Sequence, residues 1–161
     1  MSEARRFRRV AVLKGGVSQE REVSLRSGAA VARGLREGGY AVEEVDVHEP
    51  RLDLPAGVEA VFIALHGAFG EDGGVQAALR EAGLPYTGSD PEASRLAFDK
   101  HASKVRLQAA GVPTPAWELL GPGESRTLPL PVVVKPRRQG SSFGVHRVFR
   151  ETDWPAALSD A

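Results

Sequence analysis

The side chains best suited to bind a small charged ligand follow two short apolar runs of the chain. Glu20 comes shortly after the run Val10–Leu13 and its glycine turn, and His66 comes directly after the run Val61–Leu65. If both runs are parallel strands, their carboxyl ends meet at one edge of a sheet, where open α/β proteins bind ligands. Glu20 is then either an acidic residue that stabilises a helix N-terminus or a carboxylate aimed at a ligand's ammonium group. His66 is either a structural hydrogen-bonding residue or part of the same pocket.

A second group of residues offers the chemistry of phosphate binding. Lys100 lies in the first turn of a predicted helix, where the helix dipole disfavours a cation by up to about 1 kcal/mol, and Lys135 ends an apolar run. The loop 140–144, GSSFG, adds consecutive backbone N–H groups and the hydroxyls of Ser141 and Ser142. These features favour a bound phosphate. The alternative is that both lysines extend along the surface and keep their ammonium groups in water.

The acidic segment 70–73, GEDG, has two interpretations. It is either an acidic functional loop or a turn in which Asp72 caps the helix that follows. The residues alone favour neither interpretation over the other.

The apolar pattern predicts the elements that hold these residues. Their order is strand, helix, strand, strand, which is typical of an open, mainly parallel α/β sheet with right-handed crossovers. The predicted elements are strands at Val10–Leu13, Val42–Val47 and Val61–Leu65, a helix through Leu25 and Leu35 that ends at Gly38 and Gly39, and a helix at Gly73–Ala82.

The pattern changes after a predicted boundary between residues 90 and 100. Asp99 is predicted to cap a helix that runs to about Ala110. Strands at Pro131–Lys135 and Val145–Phe149 then form a hairpin, and a last helix begins near Glu151. The sequence thus predicts a second, smaller part of the molecule.

The composition of the chain excludes several kinds of site and argues against some partners. The chain has 161 residues, no cysteine, and 21 basic against 21 acidic side chains, which excludes disulfides and thiolate metal sites and argues against a nucleic-acid partner. Its longest uninterrupted apolar run is far shorter than the roughly 20 residues that span a bilayer. The basic N-terminal segment lacks the apolar region of a signal peptide, so a cytoplasmic location is expected.

Together, the motifs resemble those of the D-alanine–D-alanine ligases, which belong to the ATP-grasp family. The similarity runs in order from about residue 9 to residue 150 and rests on several separate segments. They are GGVSQEREVS at 15–24, LHG at 65–67, GEDG at 70–73, LPYTGS at 84–89, DK at 99–100 with Lys104, VKP at 134–136 and GSS at 140–142.

The resemblance implies an α/β fold in two parts. Residues 1–97 would form an amino-terminal open parallel sheet, the Rossmann-like pre-ATP-grasp domain, which binds substrate. Residues 98–161 would begin an α+β ATP-grasp domain, of which only the small nucleotide-binding part is present. The implied enzyme uses ATP to phosphorylate the carboxylate of one D-alanine. The amine of a second D-alanine then attacks the acyl phosphate, which gives D-alanyl-D-alanine for peptidoglycan.

The resemblance also implies residue roles. Glu20 would receive the ammonium group of the first D-alanine, with His66 beside it in the substrate pocket. Ser141 would link Glu20 to a tyrosine on a closing loop, so Glu20 and Ser141 are the implied catalytic residues, and Ser141 also belongs to the substrate site. Lys100, Lys135, Ser141 and Ser142 would bind the ATP phosphates.

One departure from the family concerns the metal. The family holds Mg²⁺ with an Asp, a Glu and an Asn late in the chain, whereas this sequence contains no asparagine, and its two tyrosines, Tyr40 and Tyr86, precede the hairpin. We therefore expect no metal ligands within this chain, with those for Mg²⁺ lying beyond Ala161. Little or no ligase activity is expected from the 161 residues alone.

The partners implied are D-alanine and ATP, with no nucleic acid, no membrane and a homodimer as the family suggests. Two alternatives stay open. The complete enzyme takes a different second substrate such as D-lactate, or the chain is a non-catalytic ligand-binding fragment.

Overall fold

The computed structural model describes residues 6–121 and 123–161, which fold as two compact units. The first unit ends at Arg95 and the second begins at Leu96. The assignment of residues 1–97 and 98–161 to a substrate domain and an incomplete nucleotide domain stays a prediction, because compactness alone assigns no role to either unit.

The first unit is built on a parallel three-stranded sheet, as predicted. Strand β1 (Arg9–Gly15) lies in the centre, between β2 (Ala41–Val47) and β3 (Ala60–Ile63). In register, Val10 of β1 lies opposite Val42 and Ala60. Three consecutive residues of β1, from 11 to 13, are fully buried, because a central parallel strand is covered on both faces.

The first helix packs closely against this sheet. Helix α1 (Arg21–Glu37) follows β1 and has Gly28 and Ala32 among its buried residues. A methyl group on Gly28 would lie 2.4 Å from Cβ of Lys14, so the absence of a side chain at this position lets the helix approach β1. The helix ends at a Gly38 cap followed by Gly39 with a φ of 79°, and the predicted glycine stop is therefore confirmed.

The predicted strand at Val61–Leu65 ends two residues early. Ala64 still donates its N–H to the carbonyl of Leu13 at 2.9 Å, but its own carbonyl accepts the buried hydroxyl of Ser24 at 2.6 Å. The hydrogen-bond ladder of the sheet stops at Ala64, because its carbonyl accepts the Ser24 hydroxyl instead of a backbone N–H. The Ser24 side chain therefore joins α1 to the end of β3.

Two further helices follow in the chain. Helix α2 (Gly74–Glu81) lies within the predicted range, with Gly73 and Ala82 as its caps. Helix α3 (Pro91–Phe98) was not predicted, because the residues before it are typical of a turn. It begins as helices with an N-terminal proline do: Pro91 needs no N–H donor there, and the Asp90 carboxylate accepts the N–H of Ala93 at 2.7 Å.

The second unit contains a helix, a hairpin and a short C-terminal helix. Helix α4 (Lys100–Ala109) is capped by Asp99, as predicted. Strands β4 (Val132–Val134) and β5 (His146–Val148) form the predicted antiparallel hairpin, each one residue shorter at both ends than expected. A 3₁₀ turn (Glu151–Asp153) leads into helix α5 (Trp154–Asp160). Among residues 6–121 and 123–161, no helix has both the length and the apolar character needed to cross a membrane.

Candidate functional site

The turn between β1 and α1 places Glu20 at the start of the helix. Glu20 is the residue immediately before α1, and its side chain makes no capping hydrogen bond to the helix. Its backbone N–H instead donates to the hydroxyl of Ser18 at 3.2 Å, which fixes the turn. The carboxylate is therefore held at the carboxyl end of the central strand without being used as a cap.

The loop after β3 passes directly against this carboxylate. Gly67, which follows His66, adopts a φ of 67°. A methyl group on Gly67 would lie 3.3 Å from Oε2 of Glu20 and 2.8 Å from Cβ of Ser18. The structure thus brings the loops that carry Glu20 and His66 together, at the sheet edge where sequence analysis expected them.

The imidazole of His66 is positioned by Glu71. Nδ1 of His66 lies 3.8 Å from Oε1 of Glu71, while the other carboxylate oxygen accepts the N–H of Gly67 at 2.8 Å. Nε2 of His66 is buried and has no hydrogen-bond partner within the described part of the chain. A buried ring nitrogen without a partner is costly unless a ligand or water supplies one. This nitrogen therefore has unused hydrogen-bonding capacity in the loop that passes Glu20.

Both carboxylates of the segment 70–73 hold the loop in shape. Besides the contacts of Glu71, Asp72 accepts the N–H of Phe69 and that of Gly74, each at 2.9 Å. Gly73 is the formal cap of α2, and it adopts a φ of 90°. These bonds favour the structural interpretation of Asp72, whereas Glu71 also contacts the histidine.

Sequence analysis missed the ion pair that closes the β1–α1 turn. The guanidinium of Arg21 binds the carboxylate of Asp46 through two bonds of 2.9 and 2.8 Å, and it also donates to the carbonyl of Val47 at 3.1 Å. Asp46 raises the pKa of Arg21 further through this contact. A Cβ on Gly15 would lie 2.2 Å from Asp46, so the pair crosses directly over the turn. A cation in the first turn of a helix opposes the dipole, and that conflict was the available signal.

In the second unit, Lys100 reaches the base of the glycine-serine loop. Its ammonium group donates to the carbonyl of Gln139, and its backbone N–H donates to the carbonyl of Arg137 at 3.1 Å. Burial and the positive charge of the neighbouring Lys135 lower the pKa of Lys100, against the smaller opposing effect of Asp99. The charge of Lys135 thus opposes that of Lys100, and a bound anion would offset this repulsion.

The guanidinium groups of the two arginines that follow Lys135 both bind the carboxylate of Asp99. Oδ1 of Asp99 accepts Nε of Arg137 at 2.8 Å, and Oδ2 accepts Nε of Arg138 at 3.0 Å. The same carboxylate caps α4 through the N–H of Ala102 at 3.1 Å. These bonds, with that of Arg137 the strongest, hold the pKa of Asp99 well below its usual range despite burial.

The loop 140–144 turns sharply at its two serines. Ser141 and Ser142 adopt φ values of 48° and 63°, in the left-handed region that residues other than glycine seldom occupy. Phe143 donates its N–H to the carbonyl of Gly140 at 3.2 Å, and both serines are exposed. Strained exposed turns of this kind are found at ligand-binding loops, which agrees with the phosphate interpretation.

The described residues do not provide a metal centre. Among residues 6–121 and 123–161, no group of three or more histidine, aspartate or glutamate side chains lies close enough together to hold an ion. The carboxylates of Glu71, Asp72 and Asp99 each accept a hydrogen bond from a backbone N–H group. No step of the chemistry is therefore assigned to a metal bound by these residues.

Comparison with protein families and curated proteins points to one family. Residues 42–89 match the family model described as D-ala D-ala ligase N-terminus. The D-alanine–D-alanine ligase of Desulforudis audaxviator is 50% identical over 163 aligned residues, which cover 96% of this chain and 53% of that protein. The ligase of Methylacidiphilum infernorum is 44% identical and is matched over 47% of its length. The chain spans about half the length of these curated relatives.

Solved structures show the same similarity in three dimensions. The crystal structure of the D-alanine–D-alanine ligase from Bacillus anthracis superimposes with a TM-score of 0.85 at 35% identity, over 94% of this chain and 53% of that one. A structure of the ligase from the same organism complexed with ATP gives a TM-score of 0.82 at 32% identity. It is likewise matched over 94% of this chain, and over 54% of its own length.

Proposed function

We propose that the chain, whose curated relatives are D-alanine–D-alanine ligases matched over about half of their length, belongs to that family and carries two binding sites of such an enzyme. The first unit would bind the first D-alanine, and the second unit would bind phosphates of ATP. The complete protein would be an ATP-dependent ligase that forms D-alanyl-D-alanine.

The position of Glu20 carries the D-alanine part of the proposal. Its carboxylate lies at the carboxyl end of β1, with one oxygen 3.3 Å from the point where a Cβ on Gly67 would lie. A carboxylate at this edge of the sheet suits an ammonium group, and His66, in the loop that passes Glu20, has a buried Nε2 without a partner among the described residues. A zwitterionic amino acid needs such paired polar groups.

The two lysines of the second unit carry the phosphate part. Burial and then the charge of Lys135 lower the pKa of Lys100, so the folded unit holds these two cations against some mutual repulsion. A polyphosphate would convert this repulsion into attraction, and backbone N–H groups of the turn with the hydroxyls of Ser141 and Ser142 would add bonds. A relative whose structure is described as complexed with ATP supports the choice of nucleotide.

The chemistry proposed for the complete enzyme proceeds in two steps. An oxygen of the first D-alanine's carboxylate attacks the γ-phosphorus, which gives an acyl phosphate and ADP. The amine of the second D-alanine then attacks the acyl carbon, loses a proton and expels phosphate. In this scheme Glu20 holds the first substrate by its ammonium group, Lys100 and Lys135 stabilise charge on the transferred phosphoryl group, and Ser141 adds a hydroxyl to the phosphate site. Positioning and charge stabilisation supply most of the catalysis.

Several broader attributes are proposed from family membership. They are a need for Mg²⁺, a role in peptidoglycan synthesis, a cytoplasmic location and assembly as a homodimer.

Binding of D-alanine by the 161-residue chain tests the proposal without requiring turnover. Isothermal calorimetry should detect D-alanine binding to the unmodified chain, and Glu20→Gln should weaken it by at least about tenfold, because a charge-assisted bond contributes roughly 1.5–3 kcal/mol. Glu22→Gln is the matched control, since it removes the same charge from the first turn of α1. Equal affinities for the two variants, or no binding by the unmodified chain, would contradict the D-alanine site.

A further inference from the structure

We infer that Asp99 is a positioning residue for the phosphate-binding lysines, through which Lys100 and the segment 136–140 are held in one geometry. The inference rests on the proposed function for its consequence in nucleotide binding. Its structural part concerns contacts within the second unit alone.

The first observation is that both oxygens of the Asp99 carboxylate accept hydrogen bonds. Its side chain is only 6% exposed, and its two oxygens accept bonds from one backbone N–H and from two guanidinium groups. Arg137 also contacts Oδ2 at 2.6 Å, so its fork binds both oxygens. A single carboxylate therefore joins the start of α4 to two consecutive residues that lie 38 and 39 positions later in the chain.

The second observation is that Lys100 depends on the same junction. Asp99 caps α4 immediately before Lys100, and the backbone N–H of Lys100 donates to the carbonyl of Arg137. The ammonium group of Lys100 then reaches the carbonyl of Gln139, one residue before the glycine-serine loop. Both ends of the lysine are thus attached to the segment that Asp99 holds through its arginines.

The third observation is the balance of charge. One buried carboxylate binds the guanidinium groups of Arg137 and Arg138 and lies immediately before Lys100, whose charge Lys135 opposes. Because both arginines are bound to Asp99, a phosphate at this loop would depend on the two lysines for positive charge. Without Asp99 the arginine side chains lose their common partner, and the segment loses the tie that opposes repulsion between the lysines.

A positioning role for Asp99 and a purely electrostatic role predict changes in ATP affinity of opposite sign. Asp99→Asn raises the net charge by one and keeps an oxygen that can accept the N–H of Ala102. If only charge mattered, the variant would bind ATP more tightly. If Asp99 positions the lysines, the variant binds ATP more weakly, by about tenfold or more, because small misplacements of binding groups have large effects on interaction strength.

Two measurements on the 161-residue chain test the inference. Amide hydrogen exchange should become faster at residues 137–144 and at Lys100 in Asp99→Asn. Affinity for ATP should fall when it is measured by calorimetry under conditions where Trp117 and Trp154 fluorescence shows that the second unit is folded. Arg137→Lys keeps the charge but lacks the guanidinium fork, and it should change exchange in the same direction. Asp153→Asn is the control, because it makes the same change in charge at a carboxylate that binds Arg150 and Thr152 and none of the residues around Asp99.

Unchanged exchange in both Asp99→Asn and Arg137→Lys, or tighter ATP binding by Asp99→Asn, would overturn the inference. Exchange is measured without nucleotide, so it tests whether Asp99 holds Lys100 and the segment 137–144 even if the unmodified chain binds no ATP. That last result would count against the proposed phosphate site instead. A merely structural cap would slow or speed unfolding without changing the ATP affinity of the folded chain.

Discussion

Substitution of Gly67 by alanine should damage the first unit in a way that can be separated from backbone strain. Gly67 has a φ of 67°, and an added methyl group would lie 2.8 Å from Cβ and 3.1 Å from Oγ of Ser18. A left-handed conformation costs a residue with a side chain about 1–2 kcal/mol. Overpacking against neighbouring atoms costs about 1–3 kcal/mol more. We therefore expect Gly67→Ala to lower the free energy of unfolding by about 2–5 kcal/mol.

Gly83→Ala is the matched control for this prediction. Gly83 has a φ of 69°, but nothing lies within 4 Å of the position its Cβ would take. The control therefore has the strain of the left-handed backbone without the contact, and should cost about 1–2 kcal/mol. The difference between the two variants measures how closely the loop after β3 approaches Ser18 and Glu20.

The assay must report on the first unit alone. Trp117 and Trp154 both lie in the second unit, so amide exchange of the buried β1 residues 10–13 is the better measure of the first. D-alanine affinity should fall more in Gly67→Ala than in Gly83→Ala, because only the first substitution places an atom 3.3 Å from the Glu20 carboxylate. Equal protection of β1 and equal D-alanine affinity in the two variants would refute the close approach of the two loops.

Three other predictions concern the ion pairs and titrating groups. Asp46→Asn should speed amide exchange at Gly15 and Gly16, because Arg21 loses its paired bonds across the turn; unchanged exchange would show that the pair does not hold it. The folded-state pKa of Asp99 lies below its unfolded value, so its contribution to stability is present above about pH 4 and is lost as the pH falls further. Tryptophan-monitored urea unfolding between about pH 5 and pH 2 should therefore show a steeper loss in the unmodified chain than in Asp99→Asn, and parallel slopes would contradict this. Lys135→Gln should raise the pKa of Lys100 towards its ordinary value, although not fully, because burial also lowers that pKa. The pKa can be measured by ¹³C NMR titration of the lysine side chains. An unchanged pKa would show that the two charges do not interact.

Most of the sheet could be predicted from the sequence, because β1 and α1 each carry a regular apolar pattern. Val10–Leu13 is a continuous apolar run typical of a strand covered on both faces, and Gly38 with Gly39 marks the helix end. Asp99 was recognisable as a cap from its place before a helical pattern. Local chemistry was sufficient in each of these cases.

The contacts that shape the site could not be predicted in the same way. Arg21 and Asp46 are separated by 25 residues, and the bonds from Asp99 to Arg137 and Arg138 span 38 and 39. Pairs at such separations leave no periodic signal, since they depend on how the elements come together. Helix α3 was missed for a different reason: a proline preceded by serine and aspartate begins a turn as readily as a helix.

The most direct test of the central claim is to map D-alanine on the ¹⁵N-labelled chain by NMR. If the first unit holds the site of the first substrate, D-alanine should shift the amide signals of residues 18–21 and 66–67, L-alanine should do so much less, and Glu20→Gln should abolish the shifts while Glu22→Gln keeps them. No shifts at these residues, or shifts that persist unchanged in Glu20→Gln, would contradict the claim that this unit binds the first D-alanine through Glu20.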